Sequence, residues 1–152
     1  MSDLEQLYQQ VILDHAKHPV GVGLREPYEG ESFQVNPTCG DEIRLRVHVV
    51  DEVIEDISWE GQGCSISQAS ISVLSETFTG EPVSEFEVGL ADFRELMDSR
   101  GKGIHDAEDR LGDGAAFTGV SKFPARIKCA LLGWMAAQDA LIQAGAIAKE
   151  TS

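Results

Sequence analysis

IRLRVHVVDEVIEDISWEG, residues 43–61, decides the fold. Ile43, Leu45, Val47 and Val49 alternate with Arg44, Arg46 and His48, the period of a strand with one buried face. The acids Asp51 and Glu52 predict a turn, and VIEDISWEG returns as a second strand. Upstream, ESFQVN before Pro37 supplies a third, so an antiparallel meander of about three strands is the simplest arrangement. Everything beyond it carries helical spacing, which makes the class α+β: a small antiparallel sheet packed against several helices.

Residues 4–16 place Leu4, Leu7, Tyr8, Val11 and Ile12 on one helical stripe, and VGVGLREPYEG after them is a loop. In GQGCSISQASISVLSETFTG, residues 61–80, Ser65 and Gln68 have capping-box spacing, and Gly80 and Pro82 stop the helix. That sets Cys64 at or just before a helix N-terminus. Phe86, Leu90, Phe93, Leu96 and Met97 mark another helix, closed by RGKG; HDAEDRLGDGAAFTG then reads as a short helix and loop. The last long helix opens at Pro124, a favoured first position, and runs to Gly145 with Cys129 in its second turn. No repeat or linker interrupts the 152 residues, so residues 1–152 are expected to form one domain.

Lysine and arginine total 12 against 26 acids, a net charge of -14. Such a chain repels nucleic acid and anionic membranes and suits a bound cation or a basic protein partner. The N-terminus lacks a basic region followed by an apolar core, and no apolar run reaches spanning length, so the expected location is the cytoplasm. In that reducing compartment three cysteines point to metal binding or thiol chemistry rather than disulfides.

The cysteines sit in telling places. In NPTCGD, residues 36–41, Gly40 lets Cys39 and Asp41 turn toward one point. Cys64 meets a helix N-terminus, which favours anions, and Cys129 has Arg126 and Lys128 as neighbours. Three thiolates leave a tetrahedral metal one ligand short. An aspartate oxygen suits zinc at ~2.0 to 2.2 Å against ~2.3 Å for sulfur, and Asp41 would be the most exchangeable member of the set. The spacings match no zinc finger or ribbon, and each thiol alone also reads as a small core residue, Cys129 above all beside Ala130 and Leu131. A histidine among His15, His18, His48 and His105 is the rival fourth ligand. The serines of SISQASISVLS have no neighbouring histidine base and read as small residues on a packed helix face.

NPTCGD, GQGCSISQASISVLS and RIKCALLGW resemble the three signature segments of the iron-sulfur cluster assembly proteins of the IscU and SufU type, and LYQQVILDHAKHPVGVG is similar to their N-terminal segment. The likeness covers nearly the whole chain. It is closer to the SufU branch: the position before the third cysteine is Lys128, where IscU scaffolds have histidine, and residues 81–118 resemble the SufU insertion. The resemblance implies that Cys39, Asp41, Cys64 and Cys129 bind zinc and that Cys39 accepts persulfide sulfur from a SufS-type cysteine desulfurase. Arg126 matches the arginine of the SufU motif and takes a supporting role, with downstream iron-sulfur assembly proteins as further partners. In that reading the chain is the second half of a sulfurtransferase reaction. The alternative the family offers is a scaffold holding iron or a [2Fe-2S] cluster on the same cysteines.

Overall fold

The computed structural model describes residues 3–38 and 40–147. The order is α1 (Asp3–Lys17), β1 (Gly30–Asn36), β2 (Asp41–Val50), β3 (Val53–Gln62), α2 (Ser65–Phe78), α3 (Val83–Met97), α4 (Ala107–Leu111), a 3-10 segment (Gly112–Lys122) and α5 (Pro124–Gln143). The meander is as expected: three antiparallel strands in the order β1-β2-β3. Asp41 pairs with Asn36 at one end of the β1–β2 ladder, and Val50 with Val53 at the far end of β2–β3. Asp51 and Glu52 make that turn with φ of 49° and 65°, a left-handed pair that matches the twist of the strands it joins.

Alternation along β2 does what the period requires. Ile43, Leu45 and Val47 are buried on the inner face, while Arg44 and Arg46 stand outside and pair with Glu31 on β1. The hydrogen bond from Arg46, then that from Arg44, holds the Glu31 carboxyl below the usual carboxylate range. The same arginines lie over rings, Arg44 on Phe33 and Arg46 on Tyr28. The free side of β3 is covered at two places. Gly21 and Gly23 exchange backbone bonds with Trp59, and the segment after α2 does so with Ile54 through Gly80 and Glu81. This removes most of the exposed strand edge on that side.

α5 and α2 pack on the inner face. Gly30 lets β1 approach α5, where a Cβ would collide with the Ala140 carbonyl, and Gly133 lets α5 sit on Ile71 of α2. The serines of α2 prove structural. Ser70 donates to the Ala130 carbonyl at 2.6 Å and accepts from Trp134 Nε1 at 3.0 Å, while Ser72 Oγ accepts the Val20 N–H at 2.8 Å. Trp134 gathers the region after α2: it stacks on Phe93 with centroids 4.3 Å apart and meets Phe78 edge-on at 5.6 Å.

Three local expectations need correcting. The capping box at Ser65 does not form, because Cys64 is itself the N-cap residue and has extended geometry. Residues 105–119 are more regular than a short helix and loop: α4 leads into an eleven-residue 3-10 segment. Its glycines and alanines relieve the eclipsing of positions i and i+3, and Thr118 and Ser121 hydroxyls donate to the carbonyls of Ala115 and Thr118, which suits the tighter turn. α1 forms, but Leu4 and Leu7 stay half-exposed and His15 is the buried residue of this helix. His15 is held between Ser72 Oγ at 2.7 Å and Asp113 Oδ2 at 3.0 Å, tying α1 to α2 and the 3-10 segment. Next to it Tyr8 donates to Glu108 at 2.9 Å, and burial together with that carboxylate pushes Tyr8 up to about 12. Among the described residues no helix is long and apolar enough to cross a membrane.

Candidate metal centre

Three turns converge at one end of the sheet. Asn36 closes β1, and its backbone carbonyl and Oδ1 accept from Gly40 N–H at 2.9 Å and Thr38 N–H at 3.2 Å, so the asparagine shapes the turn from both sides. Gly40 has φ of 71°, a left-handed position that favours glycine, and it delivers Asp41 to the start of β2 fully buried. Gly63 then brings β3 into α2 so closely that a Cβ there would strike the Asp41 carboxylate. Cys64 follows at the helix N-terminus, and its backbone N–H donates to Asp41 Oδ1 at 2.8 Å. Asp41 thus caps α2 from a different element, taking the place of the missing serine cap.

The ligand atoms of Asp41, Cys64 and Cys129 all lie within 4.8 Å of one another. Cys64 Sγ stands 3.6 Å from Asp41 Oδ2, which equals the edge of about 3.6 Å that a zinc tetrahedron with one sulfur and one oxygen ligand at ordinary bond lengths would have. The residues present therefore fit the metal in type and in spacing. Cys129 is buried on α5 and Cys64 is exposed, so the group opens to solvent on the Cys64 side. Cys129 Sγ contacts the Ala125 carbonyl at 3.6 Å and Asn36 Nδ2 at 4.0 Å, which fixes its direction. Cys129 is thus more than a core residue, although it is as buried as one.

Cys39 lies outside the described residues. Arg126 is exposed in the first turn of α5, three residues before Cys129, with its guanidinium over the Phe123 ring at 4.6 Å. None of the four histidines joins the Asp41–Cys64–Cys129 group: His48 bonds Glu29, His105 pairs with Asp106, and His15 belongs to a separate cluster with Glu76 and Asp113. Lys128 is exposed.

Two contributors escaped the sequence reading. Ser67 donates to the Cys64 carbonyl at 3.0 Å with its oxygen 3.8 Å from Cys64 Sγ, yet it looked like the other packed serines of its run. Asn36 orders the turn and touches Cys129. An asparagine before proline is a turn signal that was available.

A buried carboxylate and two thiols meet where a three-stranded antiparallel sheet joins the start of two helices, a solvent-open corner of an α+β protein that could hold a metal ion. The NifU-like N terminal domain family matches residues 7–130, and the chain belongs to that family. The zinc-dependent sulfurtransferase SufU of Bacillus subtilis is 44% identical over 138 residues, covering 89% of each chain. The iron-sulfur cluster assembly scaffold protein IscU of Streptococcus pyogenes serotype M1 is 39% identical over 142 residues, 93% of this chain and 86% of that one. The crystal structure of FiSufU from Fervidobacterium islandicum AW-1 superimposes with a TM-score of 0.80 at 31% identity, over 90% of this chain and 98% of that one. The N-terminal NifU-like protein of Brucella abortus shares the fold, with a TM-score of 0.82 at 22% identity.

Proposed function

We propose that this chain, acting as one domain, is a zinc-dependent sulfur carrier for iron-sulfur cluster assembly that takes persulfide sulfur from a SufS-type cysteine desulfurase. The observation that carries this reading is the convergence of Asp41, Cys64 and Cys129 at a solvent-open corner, and the likeness to a zinc-dependent SufU supports it. Asp41, Cys64, Cys129 and, from its place two residues before Asp41, Cys39 would hold the metal. Bound zinc would keep these thiols deprotonated and set the oxygen ligand as the one most readily exchanged.

Cys39 is the acceptor. Its thiolate attacks the terminal sulfur of the desulfurase cysteine persulfide; the donor sulfur–sulfur bond breaks, the donor cysteine leaves as thiolate, and the new sulfur–sulfur bond forms on Cys39 with no net oxidation. Asp41 stabilises the corner from beneath by accepting the Cys64 N–H, and Gly40 and Asn36 hold the turn that carries the acceptor. Arg126 keeps a cation beside the thiolates, where it offsets like charge as sulfur arrives.

The second reading, a scaffold for a [2Fe-2S] cluster, draws on the likeness to IscU proteins and on the same thiols. One experiment separates the two. The zinc-loaded and the metal-stripped chain are each mixed with a SufS-type desulfurase and cysteine, without iron or oxygen, and alanine release is followed together with the mass of the Cys39 peptide. Faster alanine release with persulfide on Cys39, both lost on stripping, establishes the carrier. Equal or better sulfur acceptance by the stripped chain overturns zinc dependence and favours the scaffold.

A further inference from the structure

The cations of this acidic chain are divided unequally. Arg25, Arg44, Arg46 and Arg110 are tied up in ion pairs with Asp56, Glu31, Asp92 and Glu95. Arg100, Lys102, Lys122, Arg126 and Lys128 are all exposed, and among the described residues none has a carboxylate within ion-pair reach. The fold brings Lys122 against the turn of Arg100 and Lys102. Gly101 donates its N–H to Ser121 at 2.6 Å, and Lys122 lies across Gly101 so that a Cβ there would come 2.5 Å from Lys122 Cε. Arg100 and Lys102 flank that glycine, and Lys122 immediately precedes the residue that caps α5, the helix carrying Arg126, Lys128 and Cys129.

The acids of the same part of the chain point elsewhere: Glu108 bonds Tyr8, Asp113 bonds His15, and Asp92 takes Arg110. Asp98, the acid nearest to Arg100 in sequence, makes no ion pair with it. Next to Lys122, Phe123 is 47% exposed, followed by exposed Pro124 and Ala125. Like charges gathered without counter-charges repel one another, and in a chain of net charge -14 the arrangement is the reverse of what solubility favours. Arg126 and Lys128 lie on the helix that carries Cys129; Arg100, Lys102 and Lys122 do not.

We infer that Arg100, Lys102 and Lys122, with exposed Phe123 next to Lys122, form a docking ridge for an acidic protein surface, the one bordering the sulfur-donating cysteine of the desulfurase. This rests on the sulfur-carrier reading and extends it. The ridge supplies local attraction and orientation, so the partner meets it with an acidic patch of its own even though the chain's net charge by itself suits a basic partner.

The test is the charge-reversal variant Arg100→Glu/Lys102→Glu/Lys122→Glu, which leaves all metal-site residues and Arg126 in place. In the alanine-release assay with a SufS-type desulfurase, the carrier concentration giving half-maximal stimulation should rise about tenfold or more at low salt. The gap should shrink to about twofold near 0.5 M salt, since these are solvent-exposed charges. Maximal stimulation and zinc content should stay as in the parent chain. Lys17→Glu/Arg94→Glu, which acidifies the chain away from the ridge, should change half-saturation less than about twofold. Carbodiimide coupling, which joins lysine amines to touching carboxylates, should link Lys102 or Lys122 to desulfurase acids. A parent chain that stimulates the desulfurase while the triple variant matches it at low salt, or coupling that runs only from acids of this chain to desulfurase lysines, overturns the ridge and leaves the carrier reading standing. A parent chain that neither stimulates nor couples overturns both.

Discussion

Helix α5 carries two centres little more than a turn apart, and they are built on opposite principles. At Trp134 the structure is redundant. The indole is 1% exposed, stacked on Phe93, met edge-on by Phe78 and close to Phe86, with its N–H satisfied by Ser70. At Cys129 it is sparse by comparison: hydrogen bonds and weak sulfur contacts, with no ring among them, hold a corner that opens to solvent at Cys64. Aromatic packing makes the α2–α3–α5 body hard to deform, whereas a corner held by a shared carboxylate can exchange partners without unfolding what lies beneath it.

The largest effect should come from the packed side. Trp134→Ala should destabilise the chain by about 3 to 5 kcal/mol, read from chemical denaturation of the metal-stripped protein. A loss as small as that of a surface substitution would break the contrast. On the sparse side, Asp41→Ala should weaken zinc binding by more than about 100-fold in a competition titration with a chelator, because it removes both a proposed ligand and the acceptor of the Cys64 N–H. Its effect on the denaturation midpoint should be smaller than that of Trp134→Ala. Gly63→Ala tests the corner without replacing any of the proposed ligand residues. Its Cβ must push Asp41 or Ser67 aside, so zinc affinity should fall about 10-fold or more while far-ultraviolet circular dichroism is retained. Unchanged affinity would show the corner to be more yielding than its packing suggests.

The smallest effect belongs to the outer face of the sheet. Arg46 and Arg44 hold the Glu31 carboxyl below its usual range, so its contribution to stability is in place above that range and is lost as pH falls through the lowered value. Glu31→Gln should remove that share and leave a slightly shallower acid limb in a plot of denaturation midpoint against pH, with little change in zinc affinity. A steeper limb would reverse the sign and implicate other carboxyls.

Much of this was legible in the residues. The alternation of Ile43 to Val49, the Asp51–Glu52 turn and Pro124 at the start of α5 are local signals, and each element appears where its signal stood. Segment 105–119 was harder to read, because small residues with glycine carry no strong period, and 3-10 geometry there depends on hydroxyl bonds within the segment and on packing. Cys64 at a helix start was also legible, whereas the cap on that helix was not: local rules look for a side chain within the same turn, and the structure uses Asp41, 23 residues upstream. His15 shows the same limit. The sequence offered it as a rival metal ligand, but its partners are Ser72 and Asp113.

The sequence by itself therefore determined the strands, the main helices, the cysteine motifs and the family they resemble, since all of these follow from periodicity and residue type over short distances. Only the tertiary structure decided that Asp41, Cys64 and Cys129 meet within 4.8 Å, that the histidines stay out of that group, and that Lys122 lies against the turn carrying Arg100 and Lys102. The physical reason is that these facts depend on close backbone approaches at Gly30, Gly63 and Gly133, and the room a missing side chain leaves has meaning only once the neighbouring element is in place.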